Sequence, residues 1–245
     1  MAKKVGKPGA SSGGKTRPAR KRATADRGAP ARGGARGSSQ TKSAPIRVPD
    51  SFRPDQLSIV PATADRWPDL EQLFGERGAC AGCWCMFWRK QSCEYQADKG
   101  AKNRASLRKL VTQGDTPGVL AYDGAKPIGW CAVAPRQVYV RLENSRVLAP
   151  VDETPVWSIS CLFVLPPYRR RGVSVELVQA AVRHAAANGA KWVEAYPTVT
   201  RSDAAPGAFV WTGLPETFER AGFVEVARRS SVRPIYRMPT KPTNM

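Results

Sequence analysis

The hydrophobic and polar positions of this chain change period several times, and each change marks a new element. Leu57 to Val60 reads as a short strand, and Thr63 to Asp65 supplies a helix start before Trp67, Leu70, Leu73 and Phe74 at helical spacing. Ala97 to Gln113 reads as a helix with Ala101, Ala105, Leu107, Leu110 and Val111 as its apolar positions and Gly114 as its stop. Gly118 to Tyr122 and Pro127 to Val133 flank Asp123-Gly124, a hairpin signal. Residues 135–155 have no clear period, with Tyr139 and Leu142 as anchors, and connections of that length inside a compact domain tend to be functional.

Val156 to Val164 is the strongest strand, because its unbroken apolar run suits a central place in a sheet. After Pro166-Pro167 the period becomes that of a helix, opening near Gly172 and ending at Asn188-Gly189; Lys191 to Tyr196 is the next strand. Strand, helix, strand in that order implies a parallel pair with a crossover helix. Pro215 starts a short helix that Gly222 closes, and Phe223 to Val226 and Val232 to Arg237 supply the last two strands. The expected fold class is α/β: a mixed sheet of about six or seven strands with a parallel central pair, flanked by about four helices.

Composition separates the first 50 residues from the rest. Val5, Ile46 and Val48 are their only branched aliphatic residues, and no aromatic residue precedes Phe52. Such a segment cannot offset its ordering entropy by burial, so residues 1–50 are expected to be a disordered basic tail and residues 51–245 one domain. The tail holds 13 Lys or Arg against Asp26 and Asp50, a net of +11 out of the chain's +19. It is a candidate for weak nucleic-acid contact through counterion release, or for a solvated extension without a partner. No run approaches the roughly 18 apolar residues of a membrane span, and no secretory signal stands at the start, so no membrane role and a cytoplasmic location are expected.

Chemistry concentrates after the central strand. Free backbone N–H groups at a helix start, with the positive end of its dipole, form an anion site. In Arg169-Arg170-Arg171-Gly172-Val173-Ser174, Gly172 lets a phosphate approach the backbone, Ser174 is small, and the three arginines add fixed positive charge.

That run resembles the main motif of the GNAT superfamily of acyl-CoA N-acyltransferases, (Gln/Arg)-x-x-Gly-x-(Gly/Ala), with Ser174 in place of the last small residue. Thr217-Phe-Glu-Arg-Ala-Gly-Phe223 is similar to the family's late helix and strand, and the resemblance covers about residues 57 to 238. It implies a GNAT-like sheet and an N-acetyltransferase that uses acetyl-CoA as co-substrate. The backbone of Leu162, Phe163 and Val164 would pair with the pantetheine arm, and the Leu162 amide would stabilise the oxyanion. Arg169, Arg170, Arg171, Gly172, Val173, Ser174 and Val175 would hold the pyrophosphate. The acceptor would be a small-molecule or protein amine, and the protein a monomer or homodimer.

The chain departs from the family pattern at two positions. Ser158 stands where some members carry a catalytic Glu, and Phe218 where a Tyr often protonates the leaving thiolate. Either water protonates the leaving thiolate, or another donor such as Tyr196, at the end of its strand, reaches the site. These departures leave a second reading open, a weak or inactive GNAT-fold binding protein tethered to nucleic acid by its tail. His184, the only histidine, lies 12 residues beyond Gly172 and shares a face with Leu177 and Ala181, which favours packing over catalysis.

Cys80, Cys83, Cys85 and Cys93 crowd together, yet only one Cys-x-x-Cys pair occurs and Trp84 lies inside the cluster. No metal is expected there, and the thiols read as small apolar groups. Disulfides are not expected in a reducing compartment. In the family this part of the chain commonly lines the acceptor side of the cleft, so Trp84, Met86 and Trp88 are candidate acceptor contacts; the alternative is a packed apolar lid in which Trp84, Met86, Phe87 and Trp88 cover the core. Arg136, at the start of the 136–155 loop, would belong to the opposite wall.

Overall fold

A computed structural model describes residues 48, 51–200 and 210–240. The tail expectation for residues 1–50 therefore falls, except at Val48, outside the described residues. Val48 is half-buried against the main core.

Seven strands form one sheet in the order β1-β2-β3-β4-β5-β7-β6. They are β1 (Ser58–Pro61), β2 (Gly118–Asp123), β3 (Lys126–Pro135), β4 (Trp157–Val164), β5 (Trp192–Ala195), β6 (Val224–Arg228) and β7 (Pro234–Pro239). Every neighbouring pair is antiparallel except β4 and β5, which run parallel. The helices are α1 (Trp67–Phe74), α2 (Ser92–Ala97), α3 (Ala101–Thr112), the single turn α4 (Val140–Glu143), α5 (Val173–Ala187) and α6 (Pro215–Ala221). The expected α/β architecture and its parallel central pair are present.

β3 is buried on both faces from Pro127 to Ala134, which accounts for its unbroken apolar run. On one side α5 sets Val173, Leu177, Val178 and Ala181 against Ile128, Val133 and Val164. On the other, α1 packs Trp67, Leu70 and Phe74 with Trp84, Leu107 and Trp130. A third cluster joins Trp88, Tyr139, Leu142, Tyr196 and Ile235. Truncating a fully buried leucine such as Leu177 to alanine costs about 2–5 kcal/mol, enough to consume much of a domain's net stability.

The helix expected over 97–113 is α3, which begins only at Ala101; α2 precedes it and ends at Ala97. Gly100 adopts φ +84 between them and donates its N–H to the Gly82 carbonyl at 3.0 Å, so an earlier turn pulls the chain out of helical register. The hairpin loop is Gly124-Ala125, one residue later than expected, because Asp123 still pairs with Lys126. Residues 136–155 are not wholly irregular: Arg136–Val138 and α4 form helical turns over buried Tyr139 and Leu142.

One irregularity shapes the site. Ala132 of β3 faces Cys161 of β4, and Val133 faces Ile159, so Ser160 is an extra residue in β4. Such a bulge bends and twists its strand. β4 pairs with β5 only from Trp157 to Ile159. Beyond that point, among the described residues, its β5-side edge is free of strand pairing as far as Val164.

Candidate active site

The turn from β4 into α5 is built for close approach of a ligand to backbone. Arg170 adopts φ +59 and Gly172 φ +85, two left-handed residues flanking Arg171, and no side chain caps the first turn of α5. A Cβ on Gly172 would lie 3.1 Å from Pro54 Cγ, so this position combines a left-handed backbone with little lateral room. Tyr168 anchors the turn by donating to Asp123 Oδ2 at 2.7 Å; burial, reinforced by that carboxylate, pushes its phenol up to about 12. The exposed N–H groups and the α5 dipole give this end of the helix a positive potential, to which Arg169 and Arg170 add full charges.

A cavity of about 970 Å³ opens on this turn. Arg169, Arg170, Gly172, Val173, Ser174 and Val175 line one end, and Leu162, Phe163 and Val164 of the unpaired β4 edge line another side. The wall on the α6 side comes from Trp211, Gly213, Leu214, Glu216, Thr217 and Arg220, with Cys80 contributing from the turn after α1. Of the residues expected to bind phosphate, only Arg171 stands apart, exposed to solvent and outside the lining.

Three backbone groups of the free β4 edge already have partners inside the protein. Leu162 donates its N–H to the Trp211 carbonyl at 2.7 Å. Arg169 Nε donates to the Val164 carbonyl at 2.9 Å, and Trp88 Nε1 donates to the Ser160 carbonyl at 3.1 Å. Buried backbone groups left without partners are costly, so any ligand strand along this edge has to replace these bonds in kind.

Sequence comparison supplies the deciding observation, since the profile of the Acetyltransferase (GNAT) family matches residues 82–207, just over half of the 245 residues. The chain belongs to this family. Among solved structures it is similar to an acetyltransferase of the GNAT family from Desulfovibrio desulfuricans, with 15% identity, 76% of this chain and 99% of that one covered, and a TM-score of 0.44. It is also similar to the PaiA N-acetyltransferase of Thermoplasma acidophilum in complex with coenzyme A (12% identity, 75% and 99% covered, TM-score 0.42). A third is the polyamine N-acetyltransferase of Drosophila melanogaster, which catalyses formation of N-acetylagmatine (9% identity, 75% and 100% covered, TM-score 0.47). No curated protein matches the sequence.

Within this GNAT fold the residues expected on the acceptor side are packed rather than displayed. Trp84 is 2% exposed, stacked on Trp67 at 6.1 Å and met edge-on by Phe74 at 5.6 Å. Met86 is buried in the same cluster. Trp88 is spent on the Ser160 carbonyl and touches Trp211, with ring centroids 5.9 Å apart. None of the three lines the cavity. The segment that carries them is strained: Ala79, Ala81, Trp84 and Cys85 all have φ between +44 and +62. Each such residue costs about 1–2 kcal/mol, a load the aromatic packing has to outweigh.

Arg136 is buried as well and acts as a tie between loops. Its guanidinium donates to Tyr196 Oη (2.7 Å), the Leu142 carbonyl (3.0 Å) and the Leu148 carbonyl (2.7 Å). Its Nε lies 2.9 Å from Glu143 Oε1 as an ion pair without hydrogen-bond alignment. Tyr196 in turn donates to Glu194 Oε2 at 2.9 Å, with Ser158 Oγ 2.8 Å away. Burial first, then the Glu194 charge, hold its phenol far above the ordinary range. The Tyr196 proton is thus committed to a buried network, and the residue is outside the cavity lining.

Glu194 is a buried carboxylate that sequence reasoning missed, and like Tyr196 it is outside the cavity lining. It faces Ser158 across the β4–β5 pair, one strand away from the carboxylate position that Ser158 vacates. Arg237 binds it at 2.7 and 3.0 Å, and an Arg136 nitrogen lies 3.6 Å away. The available signal was a single carboxylate inside an apolar strand. The other missed residues, Cys80, Trp211, Glu216 and Arg220, carry no local motif and reach the cavity only through the fold.

Phe218 is fully buried, and its ring edge meets Leu162 at Gly213, whose φ is +86 and where a Cβ would lie 2.6 Å from Phe218 and 3.0 Å from Leu162. His184 sits against Thr116 and Trp157, remote from the cavity lining. All six cysteines are free thiols. Among the described residues no group of three or more His, Cys, Asp or Glu is arranged to hold a metal, and no helix is long and apolar enough to cross a membrane.

Proposed function

We propose that this GNAT-family protein transfers an acetyl group from acetyl-CoA directly to an amine. The observation that carries the reading is the sharing of one cavity by the uncapped α5 start, with Arg169, Arg170 and Gly172, and the unpaired β4 edge at Leu162–Val164. Its volume of about 970 Å³ is at the upper end for small-molecule sites, as a long nucleotide thioester requires.

In this reading the diphosphate rests on the N–H groups of Val173 and Ser174, with Arg169 and Arg170 supplying charge and Val175 lining the same end of the cavity. A pantetheine amide N–H takes over from the Arg169 guanidinium at the Val164 carbonyl, and the Trp211 carbonyl leaves Leu162 N. The freed Leu162 N–H then donates to the thioester carbonyl and stabilises the negative charge that grows there as the amine attacks. Holding both reactants at this edge supplies much of the rate. A thiolate of ordinary pKa near 8.5 is a fair leaving group, which lowers the demand for a proton donor at the Phe218 position. Trp84, Met86, Trp88 and Arg136 shape the acceptor side from behind, through the loops they fix.

The test is a melting curve with acetyl-CoA. At a ligand concentration near 100 Kd, binding stabilises by about 2.7 kcal/mol, equivalent to several degrees in Tm for a domain of this size. Gly172→Glu, measured against its own ligand-free baseline, is expected to lose that shift. No shift at millimolar acetyl-CoA would overturn the reading. A shift without thiol release across a panel of amines would instead favour the second reading, a GNAT-fold binding protein.

A further inference from the structure

The fold brings together two thiols that the donor site does not use. Cys85, in the strained turn after α1, and Cys161, on β4, are 76 residues apart in sequence, yet their sulfurs lie 3.5 Å apart. Both side chains are buried. Trp84 and Cys85 are consecutive left-handed residues, and this reversal brings the turn onto the sheet, where Cys85 Sγ accepts a hydrogen bond from Trp130 Nε1 at 3.0 Å. The other four thiols are placed differently: Cys83 bonds the Gly78 carbonyl, Cys80 faces the cavity, Cys93 is exposed and Cys131 is buried in β3 with no sulfur hydrogen bond among the described residues.

We infer that Cys85 and Cys161 are a reversible thiol–disulfide pair, oxidised by peroxide and restored by thiol reductants. A disulfide spans about 2.05 Å, so closure needs about 1.5 Å of approach, which side-chain rotation and a small shift of an already irregular turn can supply. The roles of the two sulfurs differ. Cys85 Sγ, which accepts the indole N–H of Trp130 and sits in the irregular turn, is assigned as the sulfur that attacks peroxide. The bond with Cys85 and burial both raise the Cys161 thiol, so it stays protonated until the second step. Cys85 thiolate displaces hydroxide from hydrogen peroxide and becomes a sulfenic acid. Cys161 then attacks that sulfur, the S–O bond breaks, and water leaves with the Cys161 proton. Both thiols are oxidised and one peroxide is reduced to two waters. The product ties the Cys-rich turn to β4 at the residue before Leu162. A transient bond of this kind fits a reducing compartment, where lasting disulfides do not.

This inference is independent of acyl transfer and is tested without it. The wild-type protein is treated with hydrogen peroxide, unfolded, alkylated with N-ethylmaleimide and mapped by mass spectrometry. The expected result is a peptide pair linked through Cys85 and Cys161, loss of alkylation at both, and recovery of both after dithiothreitol. Cys93→Ser should leave the link intact, whereas Cys85→Ser or Cys161→Ser should remove it; the wild-type map decides the matter if either buried substitution unfolds the protein. A map in which peroxide modifies Cys80, Cys83 or Cys93 while Cys85 and Cys161 still take up maleimide overturns the pair. Oxidation of Cys85 to sulfinic acid without any link also overturns it.

Discussion

The Leu162 amide and the Trp211 carbonyl are joined by a 2.7 Å hydrogen bond, so the chain itself occupies the β4 edge that the proposed donor requires. Gly213 N–H bonds the Val210 carbonyl, and the Gly213 carbonyl accepts from Thr198, which seats the 210–213 segment in the gap that β4 leaves beyond Ile159. Hydrogen-bond exchange is close to neutral in energy, so the donor arm can replace this segment without a large penalty.

Movement of Trp211 should therefore accompany donor binding. Its ring contacts Phe87 at 5.0 Å and Trp88 at 5.9 Å, an environment that displacement would change. Adding CoA is expected to alter intrinsic fluorescence in the wild type and to leave it nearly unchanged in Trp211→Phe, with CoA-induced thermal stabilisation retained in both. An equal fluorescence change in the variant would show that the segment stays in place.

Phe218→Tyr should separate stability from turnover. The ring edge points at Gly213 and Leu162, so a hydroxyl there enters a closed space. A buried hydroxyl without a partner costs about 1–3 kcal/mol, which predicts a lower Tm for the free variant. In the proposed reaction the same hydroxyl lies beside the departing sulfur, and the rate of thiol release from acetyl-CoA should rise. A variant that loses stability and gains no rate would remove the leaving-group argument.

What was legible in the sequence is what local pattern determines. β4, α5 and the Arg169–Ser174 turn follow from an apolar run, a change of period and a glycine, and all three stand as expected. The bulge at Ser160 was not legible, because an inserted residue alters pairing without altering composition. The break before α3 depends on Gly82 reaching Gly100, a contact between segments. For Trp84 the family resemblance points to the acceptor and composition to a packed lid, and the pattern does not choose between them, because packing on Trp67 and Phe74 is a tertiary event. The segment at Trp211 reaches Leu162 across 49 residues of chain, beyond any local signal.

Arg136 should matter for stability through charge compensation rather than through surface chemistry. Replacing it with methionine removes its bonds to Tyr196, Leu142 and Leu148, and takes one of two cations from buried Glu194. Breaking a buried ion pair on one side typically costs about 3–5 kcal/mol. Denaturant unfolding should show a loss of that order for Arg136→Met and a change within about 0.5 kcal/mol for exposed Arg146→Met.

His184 gives the fold a pH dependence of predictable sign. Burial lowers its pKa below the ordinary 6.5, against a smaller opposing effect from the hydrogen bond with the Thr116 carbonyl. As pH falls below about 6.5 the unfolded chain takes up a proton that the folded histidine refuses, so folding loses stability until the folded pKa is reached. The contribution is complete above the unfolded value and declines through the interval beneath it. Melting curves of wild type and His184→Gln between about pH 8 and pH 5 should show the wild type losing Tm faster than the variant on acidification. Parallel curves would mean that the imidazole titrates alike in both states, and the packed, neutral ring described against Thr116 and Trp157 would have to be abandoned.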